Sequence, residues 1–228
     1  MTERWNVELH SHTLWSKDSL TSFKRIMALC ERRGIDRIAI TDHNTAEGAL
    51  AFKQLAPDLV IVGEEIMTTQ GELLAFFLRE TVPAGLTPEE TIQRLRNQGA
   101  FISVSHPLDR LRSGAWEEDD LLRIADKVDA VEIFNARCIF PADNERSEAF
   151  ATAHTLLGTA GSDAHIGMEY GRTRTLLRPF EDDPEDFREA LEDAQYLKRL
   201  SHQVVHFGST TAKWMKKVGL RKRQWEGG

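Results

Sequence analysis

Residues 21–44 read TSFKRIMALCERRGIDRIAITDHN, and this stretch decides the fold class. Thr21–Arg33 has helical character, and Gly34 stands where a helix should stop. The run RIAIT (37–41) is short, apolar and β-branched, as a buried strand is, and it ends directly on Asp42-His43. A helix, a glycine stop, a strand and then polar residues at the strand's end is the unit of an α/β fold whose active site lies beyond its strand ends.

The same unit recurs outward in both directions. Further strand candidates are WNVELH (5–10), LVIVG (59–63), ELLAFF (72–77), FISVS (101–105), AVEIF (130–134) and LLGTAG (156–161). Helix-like stretches between them are Thr45–Leu55, Pro88–Gln98, Glu117–Lys127 and Asn144–His154. Thr87-Pro88-Glu89-Glu90 places Thr at the N-cap, Pro at N1 and Glu at N3, and Gly99 stands at a helix end like Gly34. Strands alternating with helices predict parallel pairing through crossover helices, and about seven strands predict a (β/α) barrel. ELLAFF is expected to pair with LVIVG through a turn at Gln70-Gly71. One domain over residues 1–200 accounts for the pattern, followed by a basic tail over 201–228 that holds six Lys/Arg between Lys213 and Arg223. Residues 181–193 (EDDPEDFREALED) read as a solvated acidic helix.

Composition bounds the function. The chain has 228 residues, 41% of them hydrophobic, which suffices for a substantial core. No run of eighteen apolar residues suggests a membrane span, and the first residues lack the layout of a secretory signal. Cys30 and Cys138 are too few for a disulfide framework and read as reduced thiols of a cytoplasmic protein. A net charge of −7 disfavours a stable duplex nucleic-acid partner.

The chemistry gathers at the strand ends. His10 and His12 are two apart on a strand, so they share a face, with imidazoles ~6–7 Å apart along the chain. Asp42-His43 ends the second strand, either as a metal-bound histidine with a supporting carboxylate or as a satisfied structural pair. Glu64-Glu65 follows LVIVG, His106 follows FISVS, and Gly161-Ser162-Asp163-Ala164-His165 follows LLGTA, with Gly161 permitting close backbone approach. Five of the eight histidines thus fall at strand ends, which scattered core histidines would not do.

The segments VELHSHTLWSKDSL (7–20), IAITDHNT (38–45), VGEEI (62–66), SVSHP (103–107), EIFNA (132–136) and GSDAH (161–165), in that order, resemble the PHP (polymerase and histidinol phosphatase) family over most of the chain. That resemblance implies a distorted (β/α)7 barrel holding two or three divalent transition-metal ions, Mn²⁺, Zn²⁺ or Fe²⁺. It implies one site of His10, His12, Glu65 and Asp163, with Glu65 bridging to an ion also held by His106, and a third set of Asp18, His43 and His165. Many relatives carry histidine where this chain has Glu72, a carboxylate that would favour a harder ion such as Mn²⁺ or weaken the second site. The implied activity is metal-dependent hydrolysis of a phosphomonoester or phosphodiester of a small metabolite or nucleotide, such as a nucleoside 3′,5′-bisphosphate or a short oligonucleotide. His43, Asp163, His165 and Arg137 are the candidate catalytic side chains. Arg137 leads Arg110, Lys17 and Arg172 as the phosphate grip because it follows a barrel strand. C–N hydrolysis of the amidohydrolase type competes, but it typically uses a carbamylated lysine and no lysine ends a strand. A non-catalytic accessory domain is the third reading. His202 and His206, at i,i+4, read as packing or exposed residues.

Overall fold

In the computed structural model, residues 3–201 and Lys217 are described. The strands are β1 (Trp5–Glu8), β2 (Arg37–Ile40), β3 (Val60–Met67), β4 (Glu72–Phe76), β5 (Phe101–Val104), β6 (Ala130–Asn135), β7 (Leu157–Gly161), β8 (Arg174–Leu177) and β9 (Gln195–Leu197). The helices are α1 (Phe23–Arg33), α2 (Glu47–Leu55), α3 (Pro88–Gln98), α4 (Glu118–Ile124), α5 (Pro141–Ala153) and α6 (Pro184–Leu191). All belong to one sheet and its covering helices, with strand order β7-β6-β5-β4-β3-β2-β1-β8-β9.

The sheet curls into a distorted (β/α)7 barrel. Past the end of β1, Ser11 bridges Ala164 just past β7, where His12 N–H donates to Ala164 O at 2.9 Å and Ala164 N–H donates to His10 O at 3.2 Å. β1 and β7 therefore meet at one rim. Towards the other end β8 lies antiparallel against β1, and Thr175 Oγ1 exchanges hydrogen bonds with the Ala160 backbone of β7. β8 is the wedge that distorts the barrel.

ELLAFF pairs with LVIVG across the turn at Gln70-Gly71, as expected. β4 runs antiparallel to both β3 and β5. The turn at Gln70-Gly71 is too short for a crossover, so the chain must reverse. The reversal brings the start of β4, rather than its end, to the active rim. β8 and β9 were not anticipated, because RTLL and QYL are short segments without clear alternation. The cap readings hold: Thr87 and Glu90 form a capping box, and Gly34 and Gly99 end their helices at φ 62° and 75°.

Two apolar layers follow from strand alternation. One face of the strands (Ile38, Ile40, Val62, Ile102, Val131) packs against Ile26, Leu29, Phe52, Leu95 and Leu121 of the helices. The other face (Val7, Ala39, Ile61, Leu74, Phe101) packs with Phe187 of α6. Phe187 is fully buried, with ring centroids 5.0 Å from Phe101 and 5.3 Å from Phe180. The acidic run 181–193 is thus not merely solvated. Asp183 caps α6 through the amides of Glu185 and Asp186, while Phe187, Ala190 and Leu191 are buried.

Glu64 points away from its neighbour Glu65 and accepts from Val82 N–H at 2.9 Å. Burial pushes its carboxyl up to about 8. A carboxyl raised in the folded state binds its proton more tightly there, so its contribution is complete below the ordinary value of 4.5 and is lost as pH rises through about 8. Glu64→Gln, which stays neutral, is expected to flatten the fall in thermal stability between pH 6 and 8.5 by about 1 kcal/mol or more. Parallel melting-versus-pH curves for variant and wild type would refute this.

Candidate metal centre

The rim that joins β1 to β7 gathers the polar residues singled out in the sequence. Asp163 and His106 sit at positive φ, 50° and 23°, and Asn44, next to His43, at 57°. Such backbone costs ~1–3 kcal/mol per residue and persists where surrounding structure enforces it. Gly161 is needed here, because a Cβ on it would lie 2.4 Å from the Cβ of His10.

The first cluster is His10, His12, Glu65 and Asp163, all at most 1% exposed. His10 Nε2 lies 3.3 Å from Glu65 Oε2 and 3.6 Å from Asp163 Oδ1, and His12 Nε2 lies 3.4 and 3.2 Å from the same two atoms. None of these four buried atoms has a hydrogen-bond partner. Buried polar atoms left so are costly, and here four face one point. Their spacing suits a shared cation: ligands at ~2.0–2.2 Å around a tetrahedral ion lie roughly 3.3–3.6 Å apart. The donor set of two imidazoles and two carboxylates fits a divalent transition metal.

Glu65 extends the cluster. Its second oxygen, Oε1, lies 3.0 Å from His106 Nε2 and accepts from Ser105 Oγ at 2.8 Å. Glu72 Oε2 lies 3.5 Å from His106 Nε2. A third group forms where Asp18 meets His43 Nε2 at 3.5 Å and His165 Nε2 at 3.3 Å, beside His12. His43 stands between two groups, because its Nδ1 is 3.0 Å from Glu65 Oε2 and 3.8 Å from Glu72 Oε1. A neutral imidazole has one lone pair, so His43 can serve one cation. With Glu72 present, the second group does not need His43. Its Nδ1 can keep a proton directed at Glu65 while Nε2 serves the third group.

Glu72 is held by the loop after β5. Its N–H donates to Gly114 O at 3.0 Å, and Trp116 Nε1 donates to its carbonyl at 3.0 Å. A Cβ on Gly114 would stand 2.0 Å from Glu72 Oε2. Gly114→Ala is expected to push the carboxylate aside and remove about one equivalent of bound ion, leaving the His10–His12 group loaded. Elemental analysis with unchanged stoichiometry would refute it.

A surrounding set of hydrogen bonds fixes the rings. Glu132 Oε1 is 2.9 Å from His10 Nδ1, and its Oε2 accepts from His106 N–H at 2.9 Å and from Asn135 Nδ2 at 3.0 Å. A proton on His10 Nδ1 shared with Glu132 leaves the Nε2 lone pair facing the cluster. Glu8 accepts from the N–H groups of His10, Ser162 and Gly171, and burial pushes it up to about 7. Burial would lower both imidazoles of the HxH pair, but Glu65, Glu132 and Asp163 hold His10 well above its ordinary value. His12 falls well below, driven by burial and then by His165 and His43. The structure resolves the alternatives for Asp42. Its carboxylate accepts from Thr13 N–H and Thr13 Oγ1, both at 2.6 Å, and from Ser16 N–H, so it fastens the loop after β1 as a satisfied structural group.

Arg137 is buried, with Nη1 2.6 Å from His165 Nδ1 and Nε 3.3 Å from Glu169. It braces His165 from within the wall rather than lining an open mouth. Arg110 is forked onto Asp143 and stacks over Phe140, and Arg172 Nε donates to Leu200 O. Ser162 Oγ donates to Thr173 O, and the Cys138 thiol is pushed up to about 12 by burial and then by Asp109 and Asp143, so neither is a nucleophile. His202, His206 and the basic tail, apart from Ser201 and Lys217, lie outside the described residues. Sequence reasoning missed Glu132, Glu8, Gly114, Trp116 and Arg112. Glu132 and Glu8 had a signal, a carboxylate inside a buried strand.

The fold and clusters define a barrel whose rim gathers His, Asp and Glu groups suited to divalent metal ions, and similarity to known proteins gives its family. A family model described as PHP-associated matches residues 141–196. The chain is 37% identical over 144 residues to the uncharacterized protein MJ1587 of Methanocaldococcus jannaschii, covering 57% of this chain and 81% of that protein. It is similar in fold to a two-domain protein from Bacteroides vulgatus containing a "predicted PHP-like metal-dependent phosphoesterase", with TM-score 0.70 and 18% identity over 92% of this chain and 70% of the other. Endonuclease Q, in complex with a 27-mer duplex bearing an abasic lesion at its active site, also shares the fold, with TM-score 0.64 and 14% identity over 85% of this chain and 58% of that one. This chain belongs to the PHP family.

Proposed function

We propose that the protein is a metal-dependent phosphoesterase that hydrolyses a phosphomonoester or phosphodiester of a small metabolite or nucleotide in the cytoplasm. One observation carries this reading: four buried, unpartnered donor atoms, from β3 and from the segments just past β1 and β7, face one point at cation-ligand spacing. His10, His12, Glu65 and Asp163 would hold one ion, Glu65, His106 and Glu72 a second, and Asp18, His43 and His165 a third. Mn²⁺, Zn²⁺ and Fe²⁺ all suit these donors. Bound there, the ions supply Lewis acidity towards water and phosphoryl oxygens. The chain's own residues do the rest. Glu132 and Ser105 hold ligand orientation, Arg137 braces His165, and His43, with its side chain 12% exposed, directs Nε2 to the third group beside Asp18.

The competing readings have less support. None of the strands β1 to β7 ends on a lysine, in contrast with the carbamylated-lysine amidohydrolase pattern. A purely structural role leaves the partial exposure of the rim unexplained. A net charge of −7 favours small substrates over duplex.

The test is a substrate panel with Mn²⁺-loaded protein: phosphomonoesters, nucleoside 3′,5′-bisphosphates, short oligonucleotides, duplex DNA and N-acyl amides. Turnover of phosphoesters with two to three ions per chain is expected. Turnover confined to amides, or active protein free of metal, would end the reading.

A further inference from the structure

Phosphoryl groups need a cation that is fixed, permanently charged and reachable, and the side chains expected to provide one are committed elsewhere. Arg110 is spent on Asp143, and Arg137 on His165 and Glu169. Arg112, which no sequence feature had marked, is placed differently. It lies in the loop between β5 and α4, anchored at its backbone by N–H donation to Asp109 O at 2.9 Å. Its Nη2 donates to Asp163 Oδ2, and its Nε lies 3.6 Å from Asp109 Oδ2. Its side chain is 23% exposed, against 1% for Asp163. The guanidinium thus spans the boundary between the buried cluster and solvent.

Asp163 divides its two oxygens. Oδ1 faces His10 and His12, whereas Oδ2 takes Arg112 and lies 3.4 Å from Asn135 Nδ2. The carboxylate that would ligate the first ion therefore holds the guanidinium beside that ion's position. Arg112 Nη1 makes no hydrogen bond among the described residues, so part of a five-donor planar fork is left for an incoming group. An arginine stays charged whatever its surroundings, so this cation is permanent.

We propose that Arg112 is a catalytic residue that grips the non-bridging oxygens of the substrate's phosphoryl group. This rests on the phosphoesterase reading and adds to it the element that selects a tetrahedral phosphoryl anion over a neutral, planar amide. A guanidinium next to the ions neutralises charge that grows on those oxygens as the ester bond breaks.

The test uses full-length, Mn²⁺-loaded Arg112→Met and Arg112→Lys proteins beside wild type. Ion content is measured by elemental analysis, inorganic phosphate affinity by calorimetry, and kcat and KM on the best ester of the panel. For Arg112→Met the ion content should match wild type, phosphate affinity should fall about tenfold or more, and kcat/KM should fall about 100-fold. Arg112→Lys should recover part of the phosphate affinity, and it supplies the comparison if the Met protein does not fold. Wild-type phosphate affinity in either variant that folds with its ions would overturn the assignment. So would a parallel loss of ions and phosphate binding, since Arg112 would then only position Asp163. Wild-type protein that hydrolyses no phosphoester, whatever the variants do, would instead sink the phosphoesterase reading itself.

Discussion

Glu65→Gln should abolish hydrolysis, lowering the rate about 1000-fold or more, while Glu64→Gln next to it leaves the rate unchanged. The contrast follows from strand alternation. Glu65 turns one oxygen to His10, His12 and His43 and the other to His106. Glu64 turns the opposite way, to the Val82 amide. An amide at position 65 keeps the shape and removes the charge, and its NH₂ would be directed at either Ser105 and His106 or the other three rings. Burial would raise the Glu65 carboxyl, but His10 and then His43 hold it well below its ordinary value, so the site is built around an anion there. Losing a shared ligand to two ions forfeits several kcal/mol of charge stabilisation, roughly tenfold in rate per 1.4 kcal/mol. Rates measured at saturating Mn²⁺, with ion content determined alongside, check the claim. Full activity in Glu65→Gln would mean that the two clusters do not share this carboxylate.

Stripping the ions with a chelator should lower the melting temperature by about 10–20 °C. An ion present at 100 times its dissociation constant stabilises the folded chain by ~2.7 kcal/mol, so two contribute ~5 kcal/mol. For a chain of this size each kcal/mol moves the midpoint by about 2–4 °C. The direction follows from the site itself. Asp18, Glu65, Glu72 and Asp163 are buried carboxylates crowded together, and without cations their mutual repulsion is offset only by histidine protonation and Arg112. Calorimetric scans before and after chelation, with Mn²⁺ added back, measure the shift. Coincident melting curves would show that the ions bind weakly or elsewhere.

The sequence was most legible where local rules and chemistry coincided. RIAIT followed by Asp42-His43, or FISVS followed by His106, could be placed because short strands expose their ends and the barrel gathers those ends at one rim. The choice of Glu65 over Glu64 rested on family likeness, and the structure turns Glu65 to the centre and Glu64 away from it. What could not be read was set by tertiary placement. Arg112 and Gly114 lie in an irregular loop with no periodicity, and only packing against Asp163 and Glu72 gives them meaning. β8 and β9 are only four and three residues long, too brief to show an alternation. The acidity of 181–193 concealed Phe187, whose burial is visible only once the barrel is built.

The β3–β4 hairpin links ion capture to the accuracy of folding. Glu65 lies opposite Leu74 and Met67 opposite Glu72, so both carboxylates are presented by one ribbon in one register. A slip of a single residue in either strand would turn its ligand carboxylate, Glu65 or Glu72, to the helix layer. Ions that demand both carboxylates at once would therefore reject the misaligned ribbon, and the metal would act as an inspector of strand alignment before it serves any substrate.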